Sequence, residues 1–240
     1  MTPFSVNFGG IKPVAFGAPP PAQDAPATDA ADDAKGDAAR GKPGQTFLAR
    51  VQQRRMAGIK RAAEILEVLP GPGESLHALM LGYFDLLNVV LALLDRLDIP
   101  CLHLRIATLC FSVRNVSELA ALLDTKQAAK IDLLTSDFQR KHDGAILGAA
   151  MQELAALRGQ RVAAARSHCK IVLLSLADAR QYVIEGSANL RTSRNQEQFC
   201  LSQDGPLHEF YARWFDSMMD AHEIRAGEST PQKVNSGRQQ

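Results

Sequence analysis

Short apolar segments bounded by turn residues alternate with longer amphipathic segments from about residue 75 to residue 222. The short runs predict strands, and apolar residues three or four positions apart predict helices. Strands are predicted at 75–81, 101–111, 129–134, 171–174, 182–184 and 199–201, and helices at 84–97, 116–123, 145–157 and 206–222. This alternation indicates an α/β fold, an α/β/α sandwich with a mixed, largely parallel sheet.

Finer features of the pattern give further expectations. We expect Asn115 or Ser117 to cap the helix at 116–123, and the polar segment 135–143 to form a loop. Residues 161–165 lead into the strands that follow. One side of the last helix should carry its large apolar residues, which are Phe210, Trp214, Phe215 and Met218.

A basic helix is predicted ahead of this region, at 46–69, and the Pro-Gly-Pro-Gly segment at 70–73 should end it. Its first half carries five Lys or Arg residues before the first acid, Glu64. Two interpretations stay open. The helix could lie on a nucleic-acid backbone, or, as we favour, it covers one side of the domain with its charges in water.

The ends of the chain differ in composition from the middle. Residues 1–45 are rich in Ala, Asp and Pro with few large apolar residues, so we expect a disordered tail. We assign 46–72 to the basic helix and linker, 73–225 to the domain and 226–240 to a polar tail. The start lacks the features of a secretory signal, and no run is a convincing membrane span.

The chain has four cysteines, at positions 101, 110, 169 and 200, without metal-ligand spacing. We expect reduced, buried thiols in a cytoplasmic protein. If residues 168–170 are extended, Cys169 points away from its neighbours and into the core.

Candidate chemistry is concentrated between residues 167 and 199. His168 and Lys170 precede one predicted strand, and Ser187 and Asn189 follow the next. Residues two apart on a strand share a face, so paired strands would bring an imidazole, an ammonium, a hydroxyl and an amide together. That set suits a phosphate diester, since it offers a nucleophile, a cation and neutral donors for the non-bridging oxygens.

His168-Cys169-Lys170 followed by Gly186-Ser187-Ala188-Asn189 resembles the HKD motif of the phospholipase D superfamily. That motif runs H-x-K, four residues, D, and then G-S-x-N or G-S-x-x-N after a variable gap. The motif's Asp is replaced here by Ser175, and Asp178 lies in the predicted turn. If the Asp only braces the hairpin, Ser175 can replace it by hydrogen bonding and activity survives. If the Asp is needed for the active-site geometry, the chain is a binding module without turnover.

The resemblance implies a chemistry and a partner. In the superfamily one His attacks phosphorus, and a second His, from a second motif, protonates the leaving oxygen. No second H-x-K occurs here, so the resemblance implies a homodimer in which His168 of one chain is the nucleophile and His168 of the other the general acid. The fold that the resemblance implies is also an α/β sandwich. The resemblance implies no metal and no cofactor.

The resemblance also assigns roles to the surrounding residues. Lys170, Ser187 and Asn189 would hold the phosphoryl oxygens, with Arg191 and Arg194 nearby as substrate-binding residues. Glu197 resembles the acidic residue that follows the second half of the motif in single-motif nucleases, but it could equally be a surface Glu. Glu185 is less suited to this role, because it alternates to the face opposite Ile184. His77 and His103 are expected to be core or edge residues.

Basic residues exceed acidic ones between 157 and 194, although the net charge of the whole chain is only +1. The excess fits an anionic polymer, unless the fold brings acidic neighbours to it. Three functions follow, in order of preference. They are a metal-independent, nuclease-like phosphodiesterase, a non-catalytic nucleic-acid-binding module, and a phospholipase or phosphatidyl transferase.

Overall fold

A seven-stranded sheet forms the centre of the computed structural model, which describes residues 58–81 and 85–225. The strand order is β1-β7-β6-β5-β2-β3-β4. The strands are β1 (Ser75–Leu81), β2 (Cys101–Ala107), β3 (Ile131–Ser136), β4 (Val162–Ala165), β5 (Ile171–Leu176), β6 (Gln181–Gly186) and β7 (Gln196–Ser202).

The sheet is mixed, as the sequence predicted, but its parallel part is smaller than expected. The four pairings from β1 through β7, β6 and β5 to β2 are antiparallel. Only β2–β3 and β3–β4 are parallel. The reason lies in the connections, because β5, β6 and β7 follow one another through short turns and loops, whereas parallel neighbours need a crossover such as a helix.

Helices cover both faces of the sheet and make the expected sandwich. They are α1 (58–65), α2 (Leu86–Leu97), α3 (Val113–Asp124), α4 (Asp137–His142), α5 (Gly144–Ala150) and α6 (Gly205–His222). A π-helical turn at Met151–Ala156 continues α5. Helices α1, α2, α3 and α5 share one apolar core with the sheet, and α6 packs Phe215 and Met219 into a second core on the other face.

Helix α1 contributes directly to the core of the domain. Ala62, inside the helix, and Leu66, just beyond its end, are fully buried in the same apolar cluster as residues of α2 and α3. This burial agrees with the favoured interpretation, in which the basic helix covers one side of the domain. The predicted tails at 1–45 and 226–240, and residues 46–57 of the predicted helix, lie outside the described residues.

Three helix predictions need correction. Helix α3 begins after Ser112, which forms a reciprocal capping box with Asn115, so neither Asn115 nor Ser117 is its N-cap. The polar segment predicted as a loop contains α4, which is capped by the side chain of Ser136. On α6, Phe215 is buried but Phe210 is 59% exposed, so the large apolar residues do not all face the core.

Among the described residues, no helix combines the length and the apolar character needed to cross a membrane. The four cysteines are free thiols, but only Cys101 is buried, and burial raises its pKa to about 11. Cys110 and Cys200 are half-buried. The expectation that all four cysteines are buried was therefore wrong.

Candidate active site

The antiparallel hairpin of β5 and β6 brings the two halves of the candidate motif together. Ile171 pairs with Glu185 at its open end. One residue further out, the backbone N–H of Gly186 donates to the carbonyl oxygen of Lys170 at 3.3 Å. The segment that precedes β5 therefore lies beside the segment that follows β6, as the sequence predicted.

His168 and Lys170 form the first half of the site. The Lys170 ammonium donates to Nδ1 of His168 at 2.8 Å and to the His168 carbonyl oxygen at 2.9 Å. Lys170 is only 8% exposed, while the imidazole of His168 reaches solvent. Burial lowers the pKa of Lys170, and the nearby Glu197 carboxylate acts in the opposite direction. A shielded cation thus lies against an accessible imidazole.

Ser187 and Glu197 form the second half. The Ser187 hydroxyl donates to Oε2 of Glu197 on β7, and it accepts the backbone N–H of Gln198 at 3.0 Å. Glu197 therefore holds Ser187 rather than His168 in this chain. The Glu197 carboxylate also acts on Lys170, whose pKa it raises against the lowering by burial.

Gly186 permits this contact because β7 passes directly over it. A Cβ atom at this position would lie 2.1 Å from the carbonyl oxygen of Gln198 and 2.8 Å from Cα of Phe199. No side chain fits at these distances without moving the β7 backbone. The glycine of the motif therefore sets the position of Glu197 relative to Ser187.

Asn189 is tied to the loop that follows β2. Its Oδ1 accepts the backbone N–H of Leu109 at 3.2 Å, and its carbonyl oxygen accepts the first N–H of α2, from Leu86, at 3.2 Å. Within the part of the chain that the structure describes, its side-chain NH₂ has no protein acceptor. That group is consequently available to a ligand oxygen.

A buried acid missed by the sequence reasoning supports the loop after the motif. Asp85 caps α2 and is 2% exposed. Its Oδ2 accepts hydrogen bonds from Arg114 of α3 and, at 3.1 Å, from Thr192. An Asp immediately before an apolar helix is an N-cap signal, so the sequence held this clue.

A small pocket opens beside these residues. Its lining residues are Met80, Asp85, Ala188, Asn189, Arg191, Ser193, Asn195 and Glu197. The predicted site residues Asn189, Arg191 and Glu197 therefore line the same pocket as the buried Asp85.

Cys169 is exposed, contrary to expectation. Strand β5 begins only at Ile171, so the alternation of side chains on a strand does not extend to residue 169. Glu185 does lie on the opposite face, where its Oε2 accepts the hydroxyl of Tyr211 at 2.5 Å. That bond, with burial, raises the pKa of Tyr211 to about 12.

The basic surround is partly neutralised by the fold. Arg158 pairs with Asp124 and Glu153, and Arg161 pairs with Asp220 and Glu223. Arg180 pairs with Asp178, and Arg191 pairs with Asp143 at 3.4 Å. Within residues 58–81 and 85–225, Arg166 and Arg194 make no ion pair, so these two and Lys170 carry the positive charge left for an anion.

Ser175, which replaces the motif's Asp, lies at the other end of β5 from Lys170. Its hydroxyl is 3.2 Å from Nε2 of His208 on α6. His208 is 2% exposed, and burial, together with the positive charge of Arg105, lowers its pKa to about 4. Ser175 therefore braces the hairpin against α6 by hydrogen bonding.

His208 should make the protein less stable in acid. Its pKa is near 6.5 in the unfolded chain and about 4 in the folded one. Between these values the unfolded state binds more protons, so stability is complete above about pH 6.5 and falls as the pH drops towards 4. We expect a loss of about 2 kcal/mol between pH 7.5 and pH 5 from this group.

Urea unfolding of wild type and His208→Gln at these two pH values measures that loss. Glutamine keeps a polar contact to Ser175 but does not titrate, so the loss should shrink by about 2 kcal/mol. His222→Gln, at the exposed end of α6, is the control. An equal pH dependence of wild type and His208→Gln would show that His208 is not the group responsible.

His77 and His103 fit the structural roles expected of them. His103 on β2 contacts the buried Asp132 carboxylate through Nε2 at 2.9 Å. His77 lies exposed on the edge strand β1. Among the described residues no group of three or more His, Cys, Asp or Glu side chains is placed to hold a metal ion.

The chain therefore has a mixed α/β sandwich with the two halves of an H-x-K and G-S-x-N site at the open end of one hairpin. It is similar to solved structures that include a phospholipase D family member, Nuc from Salmonella typhimurium, with 15% identity and a TM-score of 0.45 over 62% of this chain and 99% of that chain.

The chain is about equally similar to two further solved structures. NucT from Helicobacter pylori shares 15% identity, with a TM-score of 0.45 over 63% of this chain and 100% of that chain. TrmBL2, described as an archaeal chromatin protein with a novel mode of DNA binding, shares 15% identity, with a TM-score of 0.43 over 75% of this chain and 67% of that one. No protein-family model and no curated protein sequence matches the chain.

Proposed function

We propose that this protein is a metal-independent phosphodiesterase that acts on nucleic acid through a phosphohistidine intermediate. The observation that carries the proposal is the buried Lys170 ammonium, 2.8 Å from Nδ1 of the accessible His168, on a backbone that pairs with Gly186, the residue before Ser187. A cation, a nucleophile and neutral donors around one point are what displacement at a phosphodiester requires.

In the first step Lys170 and the imidazole act together. An ammonium has only donors, so in the free site Nδ1 of His168 is the acceptor of the 2.8 Å hydrogen bond. When a diester binds, Lys170 turns its proton donors to a non-bridging oxygen. The imidazole lone pair then attacks phosphorus and the P–O bond to the leaving group breaks. The Ser187 hydroxyl turns its one proton from Glu197 to a phosphoryl oxygen, and with the NH₂ of Asn189 it stabilises the charge there.

The leaving oxygen needs a proton, and the second step needs a base. We assign both tasks to His168 of a second copy of the chain, which donates a proton to the leaving oxygen and then accepts one from water. The water attacks phosphorus, the P–N bond breaks and a phosphomonoester is released. General acid–base help of this kind contributes roughly 10²–10⁴-fold.

The first test is cleavage of an end-labelled oligonucleotide by the purified protein in excess EDTA. The proposal expects cleavage with undiminished rate in the chelator and trapping of a ³²P-labelled intermediate that is labile in acid and stable in base. Cleavage that stops in EDTA and returns with a divalent cation would overturn the metal-independent mechanism.

The mechanism requires a homodimer. Light scattering should give a mass twice the 26.1 kDa of one chain at micromolar concentration, and a cysteine introduced at His168 should form an interchain disulfide under oxidising conditions, with Cys169→Ser in the background. An active monomer would contradict the assignment of His168 to both roles.

The second candidate function is a non-catalytic nucleic-acid-binding module. It is favoured by the replacement of the motif's Asp by Ser175, and it uses the same Lys170, Ser187 and Asn189 with Arg191 and Arg194 around them. Salt-sensitive binding without cleavage would select it. A phospholipase or phosphatidyl transferase is the third candidate, and turnover of phospholipid but not of oligonucleotide would select that one.

A further inference from the structure

We propose that helix α4 carries a stacking surface for the bases of single-stranded nucleic acid, next to the candidate active site. This inference rests on the proposed function and names its substrate class. The stacking surface consists of Phe138, Lys141 and His142 on α4, together with Arg166, which follows β4.

The aromatic part of the surface is open to solvent. Phe138 is 53% exposed, and its ring lies 4.4 Å, centroid to centroid, from the exposed ring of His142. Among the described residues, Phe138 belongs to neither of the two apolar clusters. Its flat face can accept a base, since every base has a π-face and stacking needs no particular sequence.

The charge around Phe138 favours a polyanion. Lys141 and Arg166 are exposed and have no acidic partner among the described residues. Arg166 lies next to the start of α4, because Ala165 pairs with Ser136 in the parallel pairing of β3 and β4. Asp137, the acid in the first turn of α4, is already paired with Arg140 at 2.8 Å. Proteins that bind single-stranded nucleic acid commonly place cations beside an exposed aromatic ring.

Hydrogen bonds hold this surface firmly against the active site. Ser136 Oγ donates to the carbonyl oxygen of Leu109 at 2.6 Å. Gln139 exchanges two hydrogen bonds with the backbone of Phe111, at 3.3 and 3.4 Å. The same loop donates from Leu109 to Asn189 of the motif at 3.2 Å. Helix α4 is therefore fixed relative to Asn189 through one short loop.

The distance between the candidate active site and α4 can be spanned by one single-stranded nucleic acid. Ala107 of β2 pairs with Ile171 on one side and with Leu134 on the other. Two strand spacings, about 10 Å, thus separate Ile171 at the start of β5 from Leu134 of β3, and α4 begins three residues after Leu134, at the same end of the sheet. A single-stranded nucleic acid with one phosphate at Lys170 can reach Phe138 with a neighbouring base. A duplex keeps its bases stacked inside the helix and cannot offer one.

The test measures binding directly, by fluorescence anisotropy of the full chain with a labelled 12-nucleotide oligothymidine and with a labelled duplex of the same length. Every chain compared, including the one called wild type here, also carries His168→Asn, so that the probe is not cleaved during the titration. Phe138→Ala should weaken oligothymidine binding about 5- to 100-fold, the effect of losing one stacked base, and change duplex binding less than twofold. Phe138→Trp should restore or exceed wild-type affinity. Phe210→Ala removes an equally exposed ring from α6, on the other face of the sheet, and should leave both affinities unchanged.

Several results would overturn the stacking surface. These are unchanged oligothymidine binding by Phe138→Ala, an equal loss for the duplex, an equal loss in Phe210→Ala, or absence of oligothymidine binding by the wild type. Loss of binding to phosphatidylglycerol vesicles, with oligothymidine binding intact, would assign Phe138 to a membrane surface instead. Because anisotropy needs no turnover, a failure of the proposed cleavage is read separately from a failure of the stacking surface.

Discussion

His168→Asn is expected to lower the rate of diester cleavage by at least about 10⁴-fold while leaving oligonucleotide affinity within a few-fold of wild type. The asparagine amide cannot attack phosphorus or carry the leaving-group proton, and in a homodimer both functions are lost at once. Its amide oxygen can still accept from the Lys170 ammonium, so the shape and charge of the site are kept. Single-turnover cleavage of a labelled oligonucleotide in EDTA measures the rate, and anisotropy measures the affinity.

The controls separate the active site from other sources of activity. His222→Asn changes an exposed histidine at the end of α6 and should cleave like the wild type. Lys170→Met removes the cation beside the imidazole, so both affinity and rate should fall. Equal cleavage by wild type and His168→Asn would place the activity in a contaminant or at another site. Binding without cleavage by both would select the binding module.

Gly186→Ala is expected to destabilise the fold by roughly 2–4 kcal/mol, a large effect for one methyl group. The new Cβ would lie 2.1 Å from the Gln198 carbonyl oxygen, so β7 must move away from β6. That movement separates Glu197 from Ser187, and the cleavage rate should fall with the stability. Urea unfolding gives the free energy, and cleavage at a temperature where the variant is folded gives the rate.

Gly148→Ala is the matched control for this change. Gly148 is on α5, and a Cβ there would have no atom within 4 Å. Because alanine is favoured over glycine inside a helix, this variant should gain up to about 1 kcal/mol. If Gly186→Ala were as stable as wild type, the close approach of β7 would not be what requires glycine in the motif.

The sequence was sufficient for the parts of the fold and site that depend on short-range pattern. Strand β1 was predicted with its observed ends, Ser75 and Leu81. His168, Lys170 and Ser187 were predicted to meet because two adjacent apolar runs with a turn between them form a hairpin. The roles assigned to these residues, and to Asn189, Arg191 and Arg194, stay predictions.

The features that could not be predicted from the sequence depend on contacts between residues that are distant in the chain. The direction of β5 relative to β2 follows from which strands become neighbours, and no local pattern encodes that. The contact of Ser175 with His208 joins residues 33 positions apart in sequence. The hydrogen bond that the Ser187 hydroxyl donates to Glu197 likewise depends on how β7 pairs with β6. Helix α4 was missed because six residues with one large apolar side chain have no helical period to detect.

The turn between β5 and β6 offers a place to attach a reporter. It carries Asp178 and Ala179, the latter with φ of +69°, and it lies at the end of the hairpin opposite to Lys170. Six residues of β5 separate the two ends, which is about 20 Å of extended chain. A fluorophore at position 178 would be clear of the motif yet carried by the same two strands, so its emission can follow the protein through binding and assembly without occupying the site itself.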